Sequence, residues 1–191
     1  MASSVVAISN RACDYLGAAP VTSLEDGSKL SGLLLRNYEL ARDTILRSYP
    51  WNCATARASL AALTTAPAWG YAFQYQLPVD CLRVVEMDGY LDQGIAWRVE
   101  GLRLLTDAGG PVRIRYIQRV TDPAQFDPAL ADAIAARLAA DIAYAVTGNA
   151  SQAQALTQLA EARLLAARRV DAIEQSQDDR MRAEDWMDAR F

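Results

Sequence analysis

The chain has 191 residues, of which 52% are hydrophobic and 22% charged, and these proportions predict a soluble globular protein with one sizeable core. The formal net charge of -4 disfavours a protein whose main task is to grip the phosphate backbone of DNA. The sequence has no histidine, which excludes the commonest general base, Ser–His and Cys–His pairs, and the usual zinc sites. We predict no membrane span and no secretory signal, because no long apolar run and no basic leader segment are present.

Three cysteines, Cys13, Cys53 and Cys81, are widely spaced and odd in number. This pattern favours buried, unpaired thiols over a disulfide or a metal site. The segment around Lys29 superficially resembles a phosphate-binding loop but lacks its spacing, so we interpret it as a turn and a helix start. We therefore predict no catalytic residue, no metal site and no bound cofactor.

Apolar residues at helical spacing predict two N-terminal helices, at about 3–16 and 28–48. Ser3 or Ser4 can cap the start of the first helix, and Gly17 can end it. Pro50 must stop the second helix, because it lacks a backbone N–H and clashes with the preceding turn. Tyr49 and Trp51 flank that proline, and we interpret Tyr49, Pro50 and Trp51 as a structural corner where the chain changes direction.

The middle of the chain predicts β-structure over about 81–119, with strand candidates at 82–87, 96–100, 103–105 and 112–118. Short turns between them predict that consecutive strands pair antiparallel. Residues 53–63 are ambiguous between helix and strand. Residues 64–80, rich in aromatic residues and proline, are predicted to be an irregular loop.

Two C-terminal helices are predicted at about 128–147 and 151–175, joined as an antiparallel hairpin. Asp127 and Gly148 should cap the first, and Ser151 the start of the second. The predicted core positions of the second helix are Leu156, Leu159, Ala162, Ala166, Val170 and Ile173.

The predicted fold class is therefore α+β. An antiparallel bundle of about four helices would pack with a small antiparallel β-sheet inserted between the helix pairs. Residues 1–175 would form a single domain, and residues 176–191, mostly charged, a flexible extended C-terminal arm.

Three groups of side chains in the predicted β region could carry chemistry. Carboxylates at Glu86, Asp88, Glu100 and Asp107 could serve a metal-dependent nuclease, but no lysine accompanies them, so we favour solvent-facing carboxylates. Arginines including Arg113 and Arg115 could face DNA or a subunit interface, and pairing with local acids is the favoured interpretation. The aromatic residues Trp69, Tyr71, Phe73 and Tyr75 could stack on bases, although a loop anchored on the helices is favoured.

The C-terminal arm contains Trp186, Met187 and Phe191 among charged residues. Tryptophan often anchors protein interfaces, so these three are candidate partner-docking residues, with a tail of no binding role as the open alternative.

Several of these segments together resemble the tail tubular protein A family of tailed bacteriophages. The shared pattern includes Tyr15-Leu-Gly17, Val21-Thr-Ser-Leu-Glu-Asp-Gly-Ser28, Asn37-Tyr-Glu-Leu-Ala-Arg-Asp43, Leu46-Arg-Ser-Tyr-Pro-Trp-Asn52, Tyr75-Gln-Leu-Pro-Val-Asp-Cys-Leu-Arg-Val84 and Arg115-Tyr-Ile117. The resemblance runs in order over about residues 5–175, and its most specific parts are the Pro-Trp-Asn corner and the Leu-Pro-x-Asp-Cys run. The final arm departs from the family pattern.

The resemblance implies a non-enzymatic virion protein, a head-to-tail adaptor located at the head–tail junction and assembled in the host bacterial cytoplasm. Such a protein would form a ring, usually of twelve copies, between the portal protein and the distal tail (nozzle) protein. DNA would pass through the ring without specific binding. The alternative function is a DNA-packaging or DNA-end accessory protein that binds nucleic acid through Arg113, Arg115 and their neighbours.

Overall fold

The computed structural model describes the backbone of residues 4–88 and 94–188, and the side chains of residues 4–88 and 94–174. Within this part of the chain the fold is α+β, with four α-helices and two antiparallel three-stranded sheets. The chain divides into a helical unit (residues up to Ile45, Trp51–Cys53 and the chain from Val120 onward) and a β unit (Leu46–Pro50 and Ala54–Arg119). The predicted fold class is confirmed, and the single folding domain over 1–175 stays a prediction.

The helices are α1 (Val5–Leu16), α2 (Lys29–Ser48), α3 (Pro128–Thr147) and α4 (Ala150–Asp188). Their termini follow the predicted caps for α1 and α3. The Ser4 hydroxyl accepts from the Ala7 N–H at 3.1 Å, and Gly17 takes the left-handed conformation at φ 67°. Asp127 caps α3 by accepting from the Ala129 N–H at 2.7 Å.

Helix α4 differs from its prediction at both ends. Asn149, not Ser151, caps its start, because the Asn149 side-chain oxygen accepts from the Gln152 N–H at 3.2 Å and Ser151 already lies within the helix. The helical backbone continues past the predicted end at Gln175 to Asp188. The flexibility of residues 176–191 stays a prediction.

Helix α3 is the most buried element of the helical unit. Its large core residues are no more than 1% exposed, and they are Leu130, Ile134, Leu138 and Ile142. Alanines on its other sides are buried as well, among them Ala133, Ala135 and Ala139. Because alanine lets neighbouring backbones approach closely, α3 packs against both α1 and α4.

The predicted core face of α4 is largely wrong. Leu156 is buried, but Ala162, Ala166, Val170 and Ile173 are exposed, and the buried positions are instead Ala160, Ala167 and Asp171. These lie on one side of the helix with Leu156, at intervals of about four and seven residues. Alanine on nearly every side of α4 left two alternative apolar stripes in the sequence, and periodicity cannot choose between them.

The β unit contains β1 (Thr55–Leu60), β2 (Phe73–Gln76), β3 (Cys81–Met87), β4 (Trp97–Glu100), β5 (Arg103–Thr106) and β6 (Val112–Gln118). They form two sheets, in the orders β1-β6-β3 and β2-β5-β4. The four predicted strands are confirmed, the ambiguous segment is the edge strand β1, and part of the predicted aromatic loop is β2. The prediction of one sheet is corrected to two.

The strands do not all pair with their neighbours in the chain. Of the predicted consecutive pairs, β4 and β5 do pair, across the turn at Gly101, but β3 pairs with β6. The two sheets enclose a shared apolar core, in which Tyr75 and Leu104 meet Met87, Ile114 and Tyr116. Burying that core requires β1 and β3 to flank β6, which sequence spacing alone does not reveal.

Candidate functional site

The corner after α2 is built around a buried indole. Trp51 is 1% exposed, and its Nε1–H donates to the Ile45 carbonyl at 3.0 Å. Ile45 lies in the last turn of α2. Trp51 therefore links the corner to the end of α2 while filling core volume, and Tyr49 and Pro50 beside it are half-buried. The predicted structural role of this corner is consistent with these contacts.

The residue after the corner binds α4. The Asn52 backbone N–H donates to Asp171 Oδ1 at 3.1 Å, and the Asn52 side-chain amide donates to the Asp171 carbonyl at 3.3 Å. Asp171 is only 8% exposed. These contacts fasten the segment Trp51–Cys53 to α4 within the helical unit. No sequence signal links residues 52 and 171, because they lie more than a hundred positions apart and neither belongs to a recognised motif.

The three cysteines are free thiols, as predicted. Burial, and next the charge of Asp171, raises the pKa of Cys53 to about 11. Burial also raises the pKa of Cys13 and of Cys81. All three groups therefore remain protonated near neutral pH, and a protonated thiol is a poor nucleophile and a poor metal ligand.

The candidate DNA-facing arginines lie on the exposed face of β6 and pair with acids of the neighbouring strand. Arg115 contacts Glu86 at 2.6 Å, and Arg113 forms an ion pair with Asp88. Strand register places Arg57 of β1 directly opposite Arg115 on the same face. Local pairing, the favoured interpretation, is confirmed for Arg113 and Arg115. Because these pairs are largely exposed, each contributes only about 0–1 kcal/mol to stability.

The four carboxylates considered for a nuclease are dispersed. Glu86 and Asp88 pair with arginines on one sheet, Glu100 lies 3.8 Å from Arg98 on the other, and Asp107 accepts from the Ala72 backbone N–H at 2.9 Å. Among the side chains that the structure describes, no group of three or more His, Cys, Asp or Glu residues could hold a metal ion.

The aromatic segment is anchored through Tyr75. Tyr75 is fully buried, and its hydroxyl lies 2.6 Å from the Ala108 carbonyl and 2.9 Å from that of Gly110. It thereby fixes the turn before β6. The aromatic segment is thus anchored on the core of the β unit, whereas the sequence analysis favoured a loop anchored on the helices. Trp69 and Phe73 are exposed, at 86% and 36%, and Tyr71 is half-buried; the Phe73 ring lies beside Gly109.

A polar cluster missed in the sequence joins α1, α3 and α4. Asp132 of α3 accepts hydrogen bonds from the Tyr15 hydroxyl at 2.7 Å and from Arg11 Nε at 3.0 Å, and Arg163 Nε of α4 lies 3.4 Å away. The Arg11 guanidinium also stacks 4.8 Å from the Tyr15 ring centroid. Burial of the Asp132 carboxylate disfavours its charge, but the bonds from Tyr15 and Arg11 and the charges of Arg11 and Arg163 outweigh burial and lower its pKa.

Beside this cluster, α1 and α3 form a cleft of about 240 Å³. Apolar residues and one ion pair line it, namely Ala7, Ile8, Pro128, Ala131, Arg11 and Asp132. Cofactor and drug-sized ligand sites usually measure roughly 300–1,000 Å³, so this cleft suits one or two side chains better than a cofactor.

The candidate docking residues fall at the end of the described chain. Trp186 and Met187 lie on the helical backbone of α4, but their side chains are outside the described residues, as is Phe191 altogether. Their docking role stays a prediction.

The sequence matches no protein-family model, and a search of curated proteins found no match. Among the described residues, no helix combines the length and apolarity needed to cross a membrane.

Proposed function

We propose that this protein is a non-enzymatic bacteriophage head-to-tail adaptor, similar to tail tubular protein A. It would form a ring between the portal and the distal tail protein, and DNA would pass through that ring. The supporting observation is that the most specific motif of the resemblance, Pro50-Trp51-Asn52, supplies two anchoring contacts of the helical unit. Trp51 closes the end of α2, and Asn52 binds Asp171 on α4.

The second distinctive motif also has a structural role. Within Leu77-Pro-Val-Asp-Cys81, the Cys81 N–H donates to the Pro78 carbonyl at 3.0 Å, which closes a turn directly before β3. The Asp80 carbonyl accepts from the Arg119 N–H at 2.7 Å, and this bond ties the turn to the end of β6. The residues that carry the resemblance thus fix the backbone, as expected of a rigid assembly subunit.

Electrostatics suit a channel protein better than a DNA-binding protein. The net charge is -4, and Arg113 and Arg115 are paired with carboxylates. A lumen through which DNA slides should not hold phosphates tightly, because each neutralised phosphate adds binding energy that resists movement.

The proposal is tested by mixing the purified protein with the portal protein encoded in the same genome. We expect the two to co-elute in size-exclusion chromatography as one assembly larger than the portal alone. Separate elution at every mixing ratio would contradict the proposal. Two variants are tested for attachment to the portal in the same way. Trp51→Ala affects the fold, and Trp69→Ala, which changes an exposed residue, is its control.

A further inference from the structure

The two sheets of the β unit have four edge strands, and two of these edges are irregular or covered. The register of β3 shifts twice, and the Arg47 guanidinium donates to the Leu82 carbonyl of this strand. On β2, Ala62 pairs with Tyr75 on the side away from β5. Bulges and covering segments protect an edge strand from pairing with another chain. The regular edges are therefore β1 and β4, each in unbroken register with a single neighbour.

We propose that the edge of β1 pairs antiparallel with the edge of β4 of a second copy of this chain. The two β units would then share one continuous sheet, in the order β3-β6-β1 followed by β4-β5-β2 of the second copy. Backbone hydrogen bonds between two strand edges supply affinity in such contacts, and the facing side chains supply specificity. The contact concerns copies of this chain alone and does not rest on the adaptor function.

The exposed side of β1 lacks an acidic neighbour. Arg57 lies directly opposite Arg115 of β6, and like charges in that position disfavour a sheet. Arg115 has the Glu86 carboxylate at 2.6 Å, whereas no carboxylate of the described residues lies within 4 Å of Arg57. A strand added beside β1 is therefore favoured if it places a carboxylate opposite Arg57.

Strand β4 can supply that carboxylate. Glu100 lies at the end of β4 and is 58% exposed, and its contact with Arg98 is long at 3.8 Å. If Glu100 of the second copy stands opposite Arg57, all four residues of its β4 lie opposite residues 57–60. Arg98 then stands opposite the uncharged, exposed Ser59. This register thus contains one pair of opposite charges across the contact and no pair of like charges.

The same register also matches the sides of the two strands that face the core. Val99 lies opposite the buried Leu104 in its own sheet, yet it is 39% exposed because it lies at the edge. In the proposed contact it stands opposite Ala58, which packs against the core of its own unit. A small side chain beside a large one leaves room for both, and the exposed valine becomes covered.

The proposed contact joins two different edges, so it is heterologous. Each copy in a pair keeps one free β1 edge or one free β4 edge, and the contact can repeat from copy to copy. Repetition gives a ring where the rotation closes and an open chain where it does not.

Sedimentation velocity of the purified full chain, over a concentration series up to its solubility limit, tests the proposal. Arg57→Glu and Glu100→Arg each reverse one charge of the proposed pair. Arg169→Glu and Glu161→Arg are the matched controls, because they make the same reversals at exposed positions of α4. Circular dichroism and thermal unfolding verify the fold of each variant.

We expect the wild type and both controls to self-associate reversibly, and each reversal at Arg57 or Glu100 to weaken this association by about 10-fold. Both reversals in one chain should restore the association, because every contact then regains a pair of opposite charges. An equimolar mixture of the two single variants should also recover it. Alternating copies bring the two reversed charges together in one contact and the two original charges together in the next.

A cysteine pair tests the register even if a charge-reversal variant does not fold. A copy with Ser59→Cys is mixed with a copy with Arg98→Cys, and diamide accepts the two electrons and two protons that the thiols lose. We expect a covalent dimer between the two variants. Ser59→Cys mixed with Glu161→Cys is the control and should give none.

The proposal is overturned if the wild type stays monomeric at all concentrations, or if folded Arg57→Glu or Glu100→Arg associates as the wild type does. It is also overturned if the paired reversals restore nothing. A covalent dimer of Ser59→Cys alone would show instead that β1 pairs with itself. Attachment to the portal without self-association would overturn this contact and leave the adaptor function standing.

Discussion

At the residue scale, Trp51 both fills core volume and hydrogen-bonds to the last turn of α2. Its indole is 1% exposed, and its Nε1–H donates to the Ile45 carbonyl in the last turn of α2. The sequence predicted a corner at Tyr49, Pro50 and Trp51 because proline stops a helix. It could not predict which carbonyl the indole would meet, since that depends on the exact exit direction of the chain.

We expect Trp51→Ala to lower the free energy of unfolding by about 3–5 kcal/mol, the usual cost of replacing a buried large aromatic side chain with alanine. Chemical denaturation measured by circular dichroism gives this value. Trp69→Ala should change it by less than about 0.5 kcal/mol, because Trp69 is a surface residue. Equal effects of the two substitutions would show that Trp51 is not a core residue.

Asp132 is a residue at which folding should depend on pH. Its pKa is lower in the folded chain than in the unfolded chain, because the donors from Tyr15 and Arg11 outweigh the burial of the carboxylate. The stability it adds is therefore complete above the unfolded pKa of about 3.9 and is lost as the pH falls through the folded value.

Asp132→Asn should reduce stability at neutral pH by about 1.5–3 kcal/mol, the range for hydrogen bonds to a charged group. The difference from wild type should shrink as the pH falls below about 4. Denaturation midpoints across this pH range measure both effects. Asp141→Asn is the matched control, because Asp141 pairs with one arginine on a helix surface and its side chain is 25% exposed, against 24% for Asp132. A pH-independent difference for Asp132→Asn would contradict the assignment.

At the element scale, helix ends were more predictable than helix faces. Caps are local, so Gly17, Asp127 and Gly148, and Ser4 as one of two candidates, could be identified from neighbouring residues, whereas both ends of α4 differ from the prediction. The buried side of α4 depends on what packs against it. With alanine at Ala160, Ala162, Ala166 and Ala167, the sequence contains no contrast that would distinguish the two sides.

The structure makes a sharp prediction for two adjacent alanines of α4. Ala167→Glu should destabilise the protein by more than about 2 kcal/mol, because Ala167 is 2% exposed and a buried, unpaired carboxylate is costly. Ala166→Glu, one position away on the exposed side, should change stability by less than about 0.5 kcal/mol. Thermal unfolding of both variants measures the difference. If Ala166→Glu destabilised the protein more than Ala167→Glu, the buried face of α4 would be the one predicted from the sequence.

The strands, too, could be predicted from the sequence only in part. Alternation revealed β6, whose residues from Val112 to Tyr116 alternate between buried and exposed. Strand β2 was hidden among prolines and aromatic residues, and it is its pairing with β5, far along the chain, that identifies it as a strand. The pairing of β3 with β6 likewise joins segments that are distant in the chain.

The paired arginines of β6 lead to a prediction about DNA. The double variant Arg113→Ala, Arg115→Ala should bind duplex DNA as weakly as the wild type, with the same dependence on salt, because both arginines are already paired with Asp88 and Glu86. Fluorescence anisotropy over a salt series tests this. Tight wild-type binding that the double variant loses would favour the DNA-packaging alternative.

At the scale of the whole molecule, the chain builds two compact units and crosses between them at the corner after α2. Within the helical unit, hydrogen bonds join the Trp51–Cys53 segment to α2 and to α4. The fold class could be predicted because the order of helical and β segments is plain in the sequence. The Asp132 cluster and its cleft could not, because they arise where three helices distant in sequence meet.

The proposed adaptor function is tested most directly by the mass of the assembly formed with the portal. Native mass spectrometry of the protein alone, of the portal alone and of their mixture gives the number of adaptor copies bound. We predict a single closed assembly in which that number is an integer fixed by the portal ring. A portal whose mass is unchanged after mixing, or that gains a variable number of copies with no preferred value, would contradict the proposal.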